Sequence, residues 1–289
     1  MPAPFVLELC GFREGRPNTS DKKDPLSQEL GRAFFELLGV PQDKSAPKTV
    51  DREWSAAMVA DLAKQIALAA PHLGVRAERR LGEFEQYAHL NALKALAEDA
   101  SPAVATALIR LERATHSVGV EPAQLVDELK EALAVADGRR RALVDLLGDE
   151  SPLRLDVAVD RSVPSTPTDA PDVPNHLVAG FSLKWTLRTD RLQDPRTQGA
   201  KMATMRRGRM PHFAAVTMEP RPYMLGRLGR GTGDLDCVYH LALSPLIEAV
   251  QAVLTKNKDR IRQRDMFMRM VEQRRLLDYD DLVAYVATL

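Results

Sequence analysis

Apolar residues recur at three- and four-residue intervals along most of the first 150 residues, a spacing that predicts amphipathic helices. Proline and glycine lie between the periodic stretches, as expected where helices end and loops begin. The predicted helices cover residues 27–38, 52–70, 79–98, 102–116, 121–136 and 138–147. The N-terminal half of the chain is therefore predicted to be largely helical.

The pattern changes at Leu153, after which polar and apolar residues alternate with the two-residue period of a half-buried strand. The predicted elements are strands at 154–160, 177–187, 213–217 and 236–243, and helices at 195–207, 245–255 and 257–275. A proline-rich loop joins the first two strands, which we expect to pair as an antiparallel hairpin, and a glycine-rich connection through residues 226–233 precedes the last strand. This order predicts an α/β fold with a mixed central sheet flanked by helices.

Length and composition agree with a globular protein. The 289 residues, 45% of them hydrophobic, suit one large domain, which we divide into a helical portion (1–150), the sheet (151–245) and C-terminal helices (246–289). Cys10 and Cys237 form no CxxC pair, which argues against a disulfide framework or a cysteine zinc site. No apolar run approaches eighteen residues and no secretion signal is evident, so we expect a cytoplasmic protein with no membrane association.

The formal net charge is zero, but the charges are unevenly distributed. Residues 181–230 contain eleven Lys or Arg against three Asp or Glu, and an acidic surplus in residues 1–180 balances them. A basic segment of this kind is typical of a face that holds a polyanion. It is also common on solvated surfaces, so charge alone does not assign a function.

Candidate chemistry lies on the two predicted hairpin strands, where Asp156 and Lys184 would come side by side. Phosphodiester hydrolysis needs acidic oxygens that hold a divalent cation, and a nearby lysine can stabilise the developing charge. Ser182 shares a face with Lys184 because side chains alternate along a strand, which leaves Leu183 to pack in the core. Considered alone, an Asp and a Lys on adjacent strands more often form a surface ion pair.

Arg188, Asp190 and Arg191 follow directly after this strand. Arginine donates to N7 and O6 of guanine, and a carboxylate accepts from the amino group of cytosine. The group therefore suits the reading of G·C base pairs. A salt-bridged turn after a strand is the alternative interpretation.

Several blocks of sequence carry a resemblance to a known family. They are Phe181–Arg191 (FSLKWTLRTDR), Gly208–His212 (GRMPH), Val216–Pro220 (VTMEP) and Gly231–His240 (GTGDLDCVYH), with Gln86–Leu93 (QYAHLNAL) and Asp156–Val159 (DVAV) upstream. In order and spacing they resemble the NgoMIV-type family of type II restriction endonucleases, within the PD-(D/E)xK nuclease superfamily. The resemblance runs from about residue 80 to 243.

The resemblance implies a restriction-endonuclease-like fold and Mg²⁺-dependent cleavage of both strands of duplex DNA at a CCGG-centred palindrome. Asp156 and the backbone carbonyl of Leu183 would hold the metal, and Lys184 would be the catalytic lysine. Ser182 would occupy the position from which the second acid of the site has moved to the following helix.

By the same resemblance, Arg188, Asp190 and Arg191 would read the CCGG bases. The family also implies a homodimer or homotetramer, and a cognate DNA methyltransferase that protects host DNA. The three histidines within the matched blocks, His89, His212 and His240, lack metal-ligand spacing and are predicted to be structural.

The chain departs from the family pattern at the relocated acid, where it has Gln198. An amide oxygen lacks the charge that binds a divalent cation firmly. The alternative function is therefore a CCGG-binding protein with impaired or lost cleavage. Asp194 or Glu53 could compensate for the missing charge.

Two further departures concern specificity and metal binding. Met224 replaces an arginine that reads the outermost base pair in the family, with Arg221 and Arg227 nearby, so GCCGGC is only the family default. Leu155 precedes Asp156 where the family has proline, which leaves Asp160 as the alternative metal ligand.

Overall fold

A computed structural model describes residues 1–91, 102–115, 120–147, 153–163, 173–231 and 233–289. The chain forms two compact units, one of residues 1–87 and 154–289 and one of residues 88–153. The first unit contains a six-stranded mixed sheet with helices, which confirms the predicted α/β class. The single domain proposed for residues 1–289 stays a prediction.

The helices of the first unit are α1 (Val6–Leu9), α2 (Pro25–Leu38), α3 (Asp51–Ile66), α6 (Thr189–Met205), α7 (Pro222–Gly229), α8 (Leu243–Val253), α9 (Lys258–Glu272) and α10 (Tyr279–Val286). The helices of the second unit are α4 (Pro102–Thr115) and α5 (Val120–Leu147). The strands are β1 (Phe12–Arg13), β2 (Arg16–Pro17), β3 (Leu73–Arg80), β4 (Arg154–Arg161), β5 (His176–Lys184), β6 (His212–Thr217), β7 (Val238–His240) and β8 (Leu276–Asp278). No helix of the described residues has the length and apolar character needed to cross a membrane.

The main sheet follows the chain order β3-β4-β5-β6-β7-β8. β3, β4 and β5 pair antiparallel, which confirms the predicted hairpin, and β5 to β8 pair in parallel. The parallel pair β5–β6 is joined through α6, because parallel neighbours need a long crossover connection. Phe181 and Val157, which face each other across the hairpin, are both fully buried.

β3 is an element that the sequence pattern concealed. β3 overlaps the start of the helix predicted at 79–98, so that prediction is wrong where the two overlap. Two short 3₁₀ turns follow at 81–83 and 85–87. Exposed charged residues alternate with half-buried ones along this edge strand, so the apolar signal on its inner face is weak. Residues 92–98 of the predicted helix lie outside the described residues.

Glycines explain two further differences. The connection predicted through residues 226–233 begins as α7, where a Cβ added at Gly226 would lie 2.8 Å from the side chain of Met266 on α9. Glycine therefore permits close packing of these two helices. In α5, Gly138 has open space around it and the two helices predicted at 121–136 and 138–147 are one.

α2 shows how local sequence determines an element that supports the site. Asp24 caps its start, since the carboxylate accepts hydrogen bonds from the N–H groups of Leu26 and Ser27 at 3.0 and 3.2 Å. Pro25 occupies the first turn, and Gly39 ends the helix in the left-handed conformation with φ of 77°.

Candidate active site

The β4–β5 pairing brings the two predicted catalytic side chains to one end of the sheet. Val157 lies opposite Phe181, and continuing this register places Asp156 opposite Ser182. The N–H of Leu183 donates to Asp156 Oδ2 at 2.6 Å. Since directly opposite residues share a face and side chains alternate along a strand, Asp156, Ser182 and Lys184 lie on one face of the sheet.

The carboxyl group of Asp156 lies in an environment that disfavours its charge. Burial raises its pKa, the Leu183 N–H and the Lys184 ammonium oppose this effect, and the nearby charges of Glu78 and Asp51 raise the pKa further. A buried carboxylate with acidic neighbours would be relieved by a bound cation.

The other residues of the predicted catalytic strand are arranged partly as expected. Ser182 is buried, and Lys184 Nζ lies 3.5 Å from Asp194 Oδ2. Leu183 is only half-buried, because it lies one residue before the end of β5, so its predicted place in the core is wrong.

Gln198 lies on α6, and its side-chain amide donates to the backbone carbonyl of Arg154 at the start of β4. Beside it, Gly199 packs so closely on the 233–235 segment that an added Cβ would lie 1.7 Å from the Asp234 carbonyl oxygen. This region of α6 is thus held against its neighbours by a hydrogen bond and by close packing.

Helix α6 begins at Thr189, six residues before the predicted start, and contains Pro195. It therefore includes two of the three predicted base-reading residues, Asp190 and Arg191, whose side chains lie outside the described part of the structure. The third, Arg188, is exposed immediately before the helix.

Asp160, the alternative metal ligand, occupies a different part of the hairpin. It lies opposite Leu177 and is 1% exposed. Its Oδ1 accepts a hydrogen bond from Asn175 at 2.6 Å, and its Oδ2 lies 3.3 Å from Arg76 Nε. These partners give Asp160 a structural environment away from Lys184.

A cavity of about 500 Å³ lies beside Arg188 and extends to the N-terminal segment. Its lining includes the basic residues Arg13, Arg16, Lys22, Lys48, Arg188 and Arg221. Sequence reasoning missed Arg13, Arg16, Lys22 and Lys48, because acidic residues lie between them and cancel their charge when the net charge of the segment is counted. Their common position appears only when the chain is folded.

Sequence reasoning also missed a buried ion pair, Glu219–Arg221, which holds the segment before Arg188. Glu219 is 0% exposed and accepts hydrogen bonds from the Leu187 N–H at 2.8 Å and from Arg221 Nε at 2.6 Å. Arg221 Nη2 donates to the Leu187 carbonyl at 2.7 Å. Both backbone groups of Leu187 are therefore bound by this pair.

Arg221 is consequently engaged within the protein rather than available to a partner. Burial disfavours its charge, but the hydrogen bond to Glu219 and the negative charges of Glu219, Asp21 and Asp24 together outweigh burial and raise the pKa of Arg221. Asp21 and Asp24 add carboxylates 3.3 and 3.5 Å from its Nη1. Of the two arginines near Met224, only Arg227 is exposed, with its guanidinium bonded to the Tyr223 hydroxyl at 2.7 Å.

Two of the three matched histidines have structural surroundings. His240 is fully buried, its Nδ1 accepts from the Ala242 N–H at 3.1 Å, and burial lowers its pKa to about 3. His212 Nδ1 lies 3.0 Å from Asp236 Oδ2. Within the ranges that the structure describes, no three His, Cys, Asp or Glu side chains converge as a metal cluster.

Comparisons with known proteins agree with the geometry of the sheet. Residues 68–288 match the family described as NgoMIV restriction enzyme. Among curated proteins, the type II restriction enzyme NgoMIV from Neisseria gonorrhoeae is 33% identical over 210 residues. The aligned region covers 73% of this chain and 64% of that enzyme. Since the family match spans most of the chain and the mixed sheet agrees with a restriction-endonuclease-like fold, this protein belongs to the NgoMIV restriction enzyme family.

Proposed function

We propose that this protein is a type II site-specific endonuclease that hydrolyses both strands of duplex DNA with Mg²⁺ as its cofactor. The observation that carries the proposal is the convergence of Asp156, Ser182 and Lys184 on one face of the β4–β5 hairpin, within the region matched to the family. A carboxylate and a lysine at this position are the groups that metal-assisted phosphodiester hydrolysis requires.

The chemistry of the available donors fits Mg²⁺. This ion binds through one or two carboxylates and keeps several waters, so it needs no dedicated cage of protein ligands. Asp156 and the backbone carbonyl of Leu183 would hold it. When bound, the metal would polarise the phosphate and lower the pKa of a coordinated water.

The surrounding residues have distinct roles in this proposal. The Leu183 N–H fixes the orientation of the Asp156 carboxylate through its 2.6 Å hydrogen bond. Lys184 supplies a positive charge for the scissile phosphate, and Asp194 holds its ammonium group at the end of the strand. Ser182 is a small buried neighbour of both groups, and Gln198 positions α6 against β4.

Specificity for a CCGG-centred site, with GCCGGC as one form, is part of the proposal. Arg188, Asp190 and Arg191 would read the G·C pairs, since Arg matches guanine and Asp matches the cytosine amino group. The exposure of Arg188 beside a basic cavity supports this role, because phosphate contacts position a protein on duplex DNA. Arg227 is the remaining candidate for the outer base pair.

The proposed biological setting follows the family. We propose a homodimer or homotetramer that acts in the cytoplasm together with a cognate DNA methyltransferase. The loss of cleavage considered because of Gln198 has no support from the comparisons, so we retain an active enzyme as the proposed state.

Digestion of a plasmid of known sequence with the purified protein and Mg²⁺ tests the function. We expect discrete cuts at CCGG-centred sites, and no cuts with Lys184→Ala or Asp156→Asn. Sequencing of the fragment ends identifies the outer base pairs. An intact plasmid under these conditions would overturn the proposal, and recovery of cutting in Gln198→Glu would assign the defect to that position.

A further inference from the structure

Glu78 lies opposite Asp156 in the pairing of β3 with β4. Ala77 pairs with Val157 and Arg79 pairs with Leu155, so the position between them faces Asp156. Directly opposite residues of antiparallel strands have Cα atoms about 4.5–5.5 Å apart. The register therefore places Glu78 on β3 and Ser182 on β5 in line with Asp156, across three adjacent strands.

The backbone of Glu78 is unusual for a strand residue. Its φ is 54°, and the other described non-glycine residues with positive φ, Glu14 and Arg274, both lie in turns. The left-handed conformation disfavours a residue with a side chain, and such strain persists mainly where the surrounding structure imposes it, often at functional sites. The β3–β4 pairing on both sides of Glu78 imposes it here.

The electrostatic surroundings of Glu78 are also informative. Its side chain is exposed, and no basic group of the described residues forms an ion pair with it. Its charge acts on Asp156 and contributes to the raised pKa of that carboxyl, after burial. The carboxylates of Glu78 and Asp156 are therefore close enough for their charges to interact, and Glu78 has no ion-pair partner among the described residues.

The other residues that could supply a carboxylate near the site differ from Glu78 in their partners or positions. Asp194 is held by Lys184, and Gln198, at the position of the family acid, is neutral and bonded to the Arg154 carbonyl. Asp51 occupies the first turn of α3, where the helix dipole already stabilises a negative charge. Glu53 is exposed on the same helix.

We infer that Glu78 supplies the second carboxylate of the metal site, in place of the charge that Gln198 lacks. The inference rests on the proposed function and adds one named ligand to it. Asp156 from β4 and Glu78 from β3 would flank one divalent cation, and waters would complete its coordination. The edge strand, rather than the helix after the catalytic lysine, then provides the second acid.

Calorimetric titration with Mn²⁺ alone, without DNA, tests the inference on the full-length protein. We expect Glu78→Gln to weaken Mn²⁺ binding at least tenfold. Asp51→Asn is the matched control, because it removes a charge that also acts on Asp156 but has no position opposite it, and its affinity should stay within threefold of wild type. Circular dichroism shows whether each variant is folded.

A second acid restored on the helix provides the complementary test. In the Glu78→Gln/Gln198→Glu variant we expect Mn²⁺ affinity and plasmid cleavage to recover at least in part. Wild-type affinity in Glu78→Gln, or equal losses in Glu78→Gln and Asp51→Asn, would overturn the assignment of Glu78 while leaving wild-type cleavage intact. Absence of both Mn²⁺ binding and cleavage in the wild type would instead overturn the proposed function itself.

Discussion

Removal of the Arg221 side chain should destabilise the protein strongly, because it leaves Glu219 buried without its charged partner. Arg221 makes hydrogen bonds to both carboxylate oxygens of Glu219 and to the Leu187 carbonyl. Breaking a buried ion pair by removing one member costs about 3–5 kcal/mol. For Arg221→Lys, which keeps the charge but loses the guanidinium geometry, we expect a loss of about 1–3 kcal/mol.

Urea unfolding followed by tryptophan fluorescence measures this effect directly. The two tryptophans of the chain, Trp54 and Trp185, contact each other edge to face with ring centroids 5.3 Å apart in the unit that contains Arg221. Arg227→Ala is the matched control, since Arg227 is exposed and its removal should change the free energy of unfolding by no more than about 0.5 kcal/mol.

The same variants separate stability from function. Leu187 is bound through both its N–H and its carbonyl by the Glu219–Arg221 pair. Loosening this segment should displace Arg188, so Arg221→Lys should cut CCGG-centred sites more slowly even where it remains folded. A loss below about 1 kcal/mol in Arg221→Ala would refute the assigned role of the pair, because that size is typical of exposed ion pairs.

Three other predictions concern stability. Burial lowers the pKa of His240 from 6.5 to about 3. Between pH 6.5 and pH 3, the imidazole therefore takes up a proton in the unfolded chain but not in the folded protein. The free energy of unfolding should fall as the pH drops through this window. At pH 4.5 the free energy of unfolding should be about 3 kcal/mol lower than at neutral pH. If the free energy of unfolding varied with pH in the same way in the wild type and in His240→Asn, the prediction would be contradicted. Gly199→Ala should destabilise by about 1–3 kcal/mol, because the new methyl group meets the Asp234 carbonyl. Gly138→Ala, in open space on α5, should stabilise by up to about 1 kcal/mol, and thermal unfolding of both variants checks the opposite signs.

The central hairpin could be predicted because its signals are local. Alternation along residues 154–160 and 177–187 marked both strands, and the proline-rich loop between them implied antiparallel pairing. The position of Asp156 beside the Lys184 strand followed from that pairing. The family resemblance rested on whole blocks of sequence and required no knowledge of contacts.

Other elements were missed where a local signal misled or was absent. α6 begins at Thr189 rather than at the predicted residue 195, and it accommodates Pro195 within the helix. Charged residues on the exposed face of β3 obscured its two-residue period. Gly226 was assigned to a glycine-rich connection, but it lies in α7 and packs against Met266, a residue distant in sequence.

The sequence by itself determined the fold class, the hairpin with its Asp–Lys pair, and the family. Only the tertiary structure decided that Glu78 faces Asp156, that Glu219 and Arg221 hold Leu187, and that N-terminal cations lie beside Arg188. The physical reason is the separation along the chain over which each interaction acts. Periodicity and turn residues act between near neighbours along the chain, whereas strand register and buried ion pairs depend on which distant segments meet.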